Sequence, residues 1–302
     1  MAGADRWSGD PFTIVWIPDT HVPILGDAKV FPAMTAWIAA NAATLNIQFV
    51  GHVGDVIMTA AEAAQWAAAD AAWDTIDTAE IPYLIAPGNH DYNDLANRTA
   101  TGFNANFGPT RYTAHDWWTG GFFEEGKADN AYLLATISGQ DYIFLALEVF
   151  PRQAVIDWAA TLLTTHAARH AIIITHAYLS SVQDRRITDP DDVFSPDDYD
   201  LTDAHDGVSQ WAELYGLHDN LVWVQCGHLH GSLHMTTLRT GGYSCHQSMF
   251  DATDYPDSGG WIQLMTITPA TGLVRVQSYC PGLDQYDTDA NHDFTLTYHY
   301  HC

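Results

Sequence analysis

Residues 81–92 read I-P-Y-L-I-A-P-G-N-H-D-Y, an apolar run passing directly into a Gly, an Asn, a His and an Asp. Ile81–Ala86 has the length and composition of a buried strand. Turn chemistry alone accounts for Gly, Asn and Asp at a strand end, so the cluster gains meaning only from the rest of the chain. There the same junction recurs. TIVWIP (13–18) is followed by Asp19-Thr20-His21, and IQFVGHV (47–53) by Gly54-Asp55. AIIIT (171–175) is followed by His176, and LVWVQC (221–226) by Gly227-His228-Leu229-His230. Five strand-like runs thus deliver imidazole, carboxylate or amide groups at their C-terminal ends, the edge at which open α/β sheets bind ligands.

The segments between these runs read as helices over about 30–45, 59–78, 152–168 and 207–217. The second opens with Thr59-Ala-Ala-Glu62, the pattern of a capping box. AYLLATI (131–137) and DYIFLALEV (141–149) flank S-G-Q as a hairpin would. From 232 onward the chain reads as strands: 232–240, 243–250, 261–268, 273–280 and 293–300. Alternating strands and helices predict a layered α/β fold: two sheets face to face with helices outside, in one domain spanning 1–302. Its motif-bearing core is 12–230, and the strands of 231–302 are expected to complete the second sheet.

Composition narrows the partners. Lys and Arg total 11 against 37 Asp and Glu, a net charge of −26, and the only lysines are Lys29 and Lys127. Such a field repels nucleic acid and anionic membrane, so the expected partner is a small molecule and not a long nucleic acid. It also suits a salty medium, where counter-ions screen the self-repulsion. No apolar run reaches the ~18 residues of a membrane span. M-A-G-A-D-R-W-S-G-D-P-F (1–12) lacks the basic and apolar regions of a signal peptide. Oligomeric state leaves no mark in the sequence. Cys226, Cys245, Cys280 and Cys302 form no C-x-x-C, and their even number allows Cys226–Cys245 and Cys280–Cys302 bridges between neighbouring strands in an exported protein.

Imidazole and carboxylate suit a divalent metal such as zinc, manganese, iron or nickel. Asp19/His21 and His228/His230 are i, i+2 pairs, able to reach one centre from the frayed end of a strand. A carboxylate such as Asp55 can bridge two metals about 3.5–4 Å apart, and Asn89 adds a neutral oxygen. Five such junctions in order point to a metal site.

In this order, D-x-H, G-D, G-N-H-D, H and G-H-x-H, the motifs resemble those of the calcineurin-like metallophosphoesterase superfamily, from Asp19 to His230. The resemblance implies an α/β fold, a four-layer α-β-β-α sandwich of two mixed β-sheets with flanking helices. It also implies two divalent or mixed-valence metal ions (Mn, Fe, Zn or Ni). Asp19, His21, Asp55 and His230 would hold one; Asp55, Asn89, His176 and His228 the other. His90 matches the histidine that contacts the scissile phosphate. The purple acid phosphatase branch has D-x-G and a Tyr three residues after the G-D aspartate; here those positions are His21 and Met58. Residues 259–298 also resemble C-terminal strands of exported bacterial members, so a periplasmic or extracellular location is expected, with the cytoplasm still open.

The implied chemistry is hydrolysis of a small phosphate ester by in-line attack of a metal-bridging hydroxide, with His90 assisting the leaving group and Asp91 orienting His90. A phosphodiester is favoured over a phosphomonoester, whose extra charge needs more basic contacts than the chain supplies. The alternatives are a phosphomonoesterase, phosphoprotein phosphatases included, and a non-catalytic scaffold, which would fit better were a ligand or His90 missing. Arg185, Arg186, Arg111 and His115 are the candidate substrate contacts, against surface pairing with Asp. YTAHDWWTGGFF (112–123) reads equally as a pocket wall or a patch over the sheet. The Asp-dense loop 184–206 lacks the Gly and Glu of an EF-hand loop and reads as solvated, with a candidate role as lid.

Overall fold

The structure is a computed structural model and describes residues 9–26, 29–239, 242–255 and 260–297. The strands are β1 (Phe12–Ile17), β2 (Ile47–His52), β3 (Tyr83–Ile85), β4 (Gly120–Phe122), β5 (Ala131–Ile137), β6 (Gln140–Ala146), β7 (His170–Ile174) and β8 (Leu179–Ser180). They continue as β9 (Arg185–Arg186), β10 (Leu221–Cys226), β11 (Gly231–Leu238), β12 (Ser244–Asp251), β13 (Ile262–Thr268), β14 (Leu273–Cys280), β15 (Gln285–Tyr286) and β16 (Asp293–Thr297). The helices are α1 (His21–Gly26), α2 (Val30–Asn41), α3 (Ala63–Thr78), α4 (Thr101–Phe107), α5 (Pro109–Thr113), α6 (Gln153–Thr165) and α7 (Gly207–Glu213).

Two mixed sheets of seven strands form the body. The first has the order β15-β14-β13-β1-β2-β3, with β16 also on β14; the second is β11-β12-β10-β7-β6-β5-β4. β1, β2 and β3 run parallel in the first. In the second, β6, β7, β10 and β12 are parallel. Strands covered on both faces read as near-continuous apolar runs, and β1, β7 and β10 are buried throughout. The sheets face each other through Phe49 of β2 stacked on Phe144 of β6 at 3.9 Å between centroids. Helices flank both. α3 buries Trp66, Ala69, Trp73 and Ile76 on one stripe, with Trp73 4.6 Å from the Tyr83 ring of β3. On the other side, Trp158 of α6 packs on Tyr132 of β5. Among the described residues no helix is long and apolar enough to cross a membrane.

Three expectations are corrected. The strands after residue 230 do not all complete the second sheet: β11 and β12 extend it, whereas β13 to β16 extend the first, β13 pairing antiparallel with β1. An alternating pattern sets which face of a strand is buried, not which sheet it joins. The capping box is absent: α3 starts at Ala63 with Glu62 at its N-cap and no side-chain cap. Gln65 instead turns back, its Oε1 accepting from Met58 N at 2.9 Å and Thr59 N at 3.0 Å. Cys226 and Cys245 are free, buried thiols. Their register explains it, because Cys226 faces Met249, four residues and about 13 Å along β12 from Cys245, too far for a bridge. Cys302, of the other expected pair, lies outside the described residues.

Candidate metal centre

Because β1, β2, β3, β7 and β10 point the same way within their sheets, their C-terminal ends gather at one rim. Asp19 and His21 follow β1, Asp55 follows β2, and Asn89 opens a 3-10 turn after β3. His176 and His228 come from β7 and β10 across the seam between the sheets. Ligand atoms of Asp19, His21 and Asp55 all lie within 4.8 Å of one another, and all three residues are buried. A second group converges on His176 Nε2: Asn89 Oδ1 and His228 Nδ1 at 3.1 Å, Asp55 Oδ2 at 3.3 Å. Asp55 belongs to both groups.

The protons are fixed by backbone carbonyls, which can only accept. His176 Nδ1–H donates to Val53 O at 2.9 Å, His228 Nε2–H to Phe194 O at 2.9 Å, and His90 Nδ1–H to Met58 O at 2.8 Å. His176 Nε2 and His228 Nδ1 are therefore the free lone pairs, pointing at each other; such outer bonds are how proteins set a ligating imidazole's tautomer. His230 Nδ1 binds the Asp254 carboxylate at 2.7 Å. It stands at the rim of the same cavity, outside the three-residue cluster. Asp55 and His228 both have left-handed backbones, φ 50° and 76°. That conformation costs a non-glycine residue about 1–2 kcal/mol and is common where function dictates backbone shape.

The close approach requires glycines beneath the ligands. A Cβ on Gly227 would sit 2.1 Å from Asp19 Oδ1, and one on Gly88 2.2 Å from Asp55 Oδ1. His52, unremarked in the sequence, pins the Asp55 loop. Its Nδ1 accepts from Gly54 N at 3.0 Å, its Nε2 meets Thr20 Oγ1 at 3.0 Å, and Thr20 in turn donates to Val56 O. Burial holds His52 down at about 3, so it works as a neutral ring.

The electrostatics call for a cation. Burial, then the charges of Asp251 and Asp55, push Asp19 well above the usual carboxylate range. Burial would raise Asp55 as well, but the His176 imidazole beside it holds it below that range. Burial pulls His176 down, and the Asp55 carboxylate more than reverses this. A proton on His176 Nε2 can hold its three neighbours only in part; a divalent cation satisfies all the lone pairs at once. The donor set, carboxylate with imidazole and one amide, suits zinc, manganese, iron or nickel. Asp19, His21 and Asp55 would hold one ion, and Asp55, Asn89, His176 and His228 a second.

Asp251 was missed by sequence reading. It ends β12, which runs parallel to β10 in the second sheet. It is fully buried, and among the described residues its Oδ2 has no hydrogen-bond partner. Its charge acts on both Asp19 and His21. The signal was weak, because β12 reads S-C-H-Q-S-M-F-D, with only Met249 and Phe250 as an apolar pair before the Asp.

Asp91 does not orient His90. Its carboxylate accepts from Gly88 N at 2.8 Å and from Val56 N and Ile57 N at 3.2 Å, clasping the Asp55 loop to the Asn89 turn. Orientation of His90 falls to the Met58 carbonyl. Burial and the Asp55 charge push Asp91 up to about 7, against those three donors.

None of the four expected substrate contacts reaches the cavity. Arg111 is tied to Asp70, Asp74, Asp77 and Tyr83 Oη. His115 binds Asp77 and Glu80. Arg185 binds Asp192 at 2.8 Å, and Arg186 binds Tyr178 Oη and Gln247 Oε1, each at 2.7 Å. In so acidic a chain each buried or half-buried cation is claimed by fold contacts. Trp117, Trp118 and Phe122 cover Tyr83 and Tyr112, the patch reading of that segment. The loop 184–206 does reach the site: Val193, Phe194 and Tyr199 line the cavity of about 320 Å³ that also opens on His21, Asp55, Asn89 and His90.

The family model described as calcineurin-like phosphoesterase matches residues 12–232. An uncharacterized protein of Bacillus subtilis (strain 168), YvnB, is 30% identical over 292 residues, covering 93% of this chain and 21% of its own length. The chain thus spans about a fifth of that curated relative. Among solved structures, a dimetal phosphatase from Danio rerio superposes with a TM-score of 0.58 at 13% identity, covering 96% of this chain and 100% of the other. A purple acid phosphatase from yellow lupin seeds (Lupinus luteus) gives 0.58 at 13%, covering 98% and 55%. At that identity the two structures show a shared fold.

Proposed function

This chain belongs to the calcineurin-like phosphoesterase family, and from that premise we propose that it hydrolyses small phosphodiesters at a two-metal centre. The observation that carries the reading is the convergence of Asn89 Oδ1, His228 Nδ1 and Asp55 Oδ2 on His176 Nε2 at 3.1–3.3 Å, beside the Asp19–His21–Asp55 cluster. When bound, two divalent ions supply Lewis acidity toward a phosphoryl oxygen and lower the pKa of water to near neutrality.

The chain's own groups do the rest. Asp55, which belongs to both groups of ligand atoms, would serve both ions. His90 N donates to Asp55 Oδ1 at 2.9 Å, locking the Asn89 turn onto that carboxylate. With Nδ1 committed to Met58 O, His90 presents Nε2 to the cavity, 4.0 Å from Asp55 Oδ2. There, as the imidazolium with a second proton on Nε2, it can donate to a phosphoryl oxygen and pass that Nε2 proton to the departing alkoxide or phenoxide, leaving the neutral ring with its Nδ1–H still on Met58 O. His21 stacks parallel to His90 at 5.3 Å and limits its swing.

A diester is favoured because, among the described residues, no Lys or Arg lines the cavity. A monoester brings a second negative charge to a cavity whose side chains offer only imidazole, amide and phenol donors. The test is kcat/KM of the manganese-loaded protein on bis-p-nitrophenyl phosphate against p-nitrophenyl phosphate. Preference for the diester is expected. Preference for the monoester overturns the diester reading and leaves a phosphomonoesterase.

A further inference from the structure

The segment after His176 is built as a polar scaffold with an apolar crest. Thr188 N and the Arg185 guanidinium bind the Asp192 carboxylate. Ser195 Oγ and Asp197 N bind Asp189 Oδ1, at 2.8 and 3.0 Å. Asp198 Oδ2 accepts from Phe194 N. Aspartates thus consume the loop's hydrogen-bonding capacity internally. Among the exposed side chains of the segment, beside several aspartates, are Val193, 63% exposed, Phe194, 53% exposed, and Val182, 74% exposed. Isolated exposed apolar side chains are ordinary. These three are grouped, and all line the cavity that holds the metal-site residues.

Phe194 is placed there at a cost. Its backbone is left-handed, φ 57°, a conformation rare for a bulky residue. That geometry turns its carbonyl onto His228 Nε2, while its ring lies 6.1 Å from the His228 ring, edge-on. One residue therefore joins the metal side of the cavity to its apolar side. Leu229 and Tyr199 continue that side, and no cation among the described residues interrupts it. Small-molecule sites combine such apolar walls with a few fixed polar groups.

We propose that Val182, Val193 and Phe194 form the subsite for an apolar ester substituent, aryl or branched alkyl, so that the substrate carries at least one uncharged hydrophobic arm on its phosphorus. The inference rests on the phosphoesterase reading. It goes further by assigning the arm that the metals do not touch.

Binding tests it without turnover. Isothermal titration of manganese-loaded protein with inorganic phosphate and with phenylphosphonate, whose carbon–phosphorus bond is not hydrolysed, gives an affinity ratio for wild type, Phe194→Asn and Val182→Ser. Asn tolerates the left-handed backbone and keeps the carbonyl on His228. Both positions are exposed, so folding is not at stake, and circular dichroism verifies it. Wild type is expected to bind phenylphosphonate at least about tenfold tighter than phosphate, as burial of an aryl face implies, and each variant to bring the ratio toward one. A wild-type ratio near one, or a ratio unmoved in both variants, overturns the subsite while phosphate binding still supports the phosphoesterase reading. Failure of the wild type to bind phosphate at all overturns both.

Discussion

Gly227→Ala puts the geometry of the centre to a quantitative test. A methyl there would lie 2.1 Å from Asp19 Oδ1 and 2.5 Å from Val53 Cγ2, where ordinary contact begins at 3.4 Å. The carboxylate must retreat by about 1.3 Å, the difference between those two distances. Ligand distances tolerate only about ±0.2 Å around a bound ion. The same retreat stretches the bond from His228 N to Asp19 Oδ2, now 3.3 Å. Changes merely behind a ligand cost 10–100-fold in metal affinity, so displacement of the ligand itself should cost at least about 100-fold, some 2.8 kcal/mol. Overpacking lowers fold stability by about 1–3 kcal/mol in addition. Equilibrium dialysis against manganese with elemental analysis reads the first effect, and urea unfolding of the metal-free protein the second. Gly126→Ala is the comparator: its φ is +75°, but a methyl there meets nothing within 4 Å, so it is destabilised without loss of metal. Retention of two ions at wild-type affinity by Gly227→Ala would refute the placement of Asp19 as a ligand.

Three further outcomes follow from the contacts. His90→Ala should keep both ions and lose about 10²–10⁴-fold in kcat on diesters with poor leaving groups; unchanged turnover there removes His90 from the mechanism. In the metal-free protein Asp91 holds its proton to about pH 7 when folded and only to about 4 when unfolded. The folded state then binds the extra proton, so stability falls as pH rises between those values, and Asp91→Asn should flatten that slope in urea titrations. Arg111→Ala leaves Asp70, Asp74 and Asp77 facing one another, so it should destabilise the fold without changing kcat/KM; a selective loss of activity would return Arg111 to the substrate.

Much of the centre was legible because each ligand closes an apolar run, and parallel strands bring such ends together whatever their separation in the chain. Asp251 was hidden because its strand, S-C-H-Q-S-M-F-D, is largely polar, and because its pairing, with β11 on one side and parallel to β10 on the other, is set by packing. The role of Met58 could not be read at all: it acts through its carbonyl, which every residue possesses. The arginines misled for a related reason. Arg111 finds its carboxylates on α3, more than thirty residues upstream, and Arg186 finds Gln247 sixty-one residues downstream, pairings fixed by packing alone.

The site straddles the seam: Asp19, Asp55 and Asn89 extend from one sheet, His176 and His228 from the other. Any ion shared across that line rivets two layers whose contributing residues are separated by as many as 209 positions. The unfolded chain has no equivalent arrangement, so occupancy is coupled to folding. At a free ion concentration a thousand times Kd each ion adds about 4 kcal/mol, a large share of the 5–15 kcal/mol by which a domain is ordinarily stable. Metal supply would then govern how long the molecule survives as well as what it can do: a starved population would open along the seam and be degraded first.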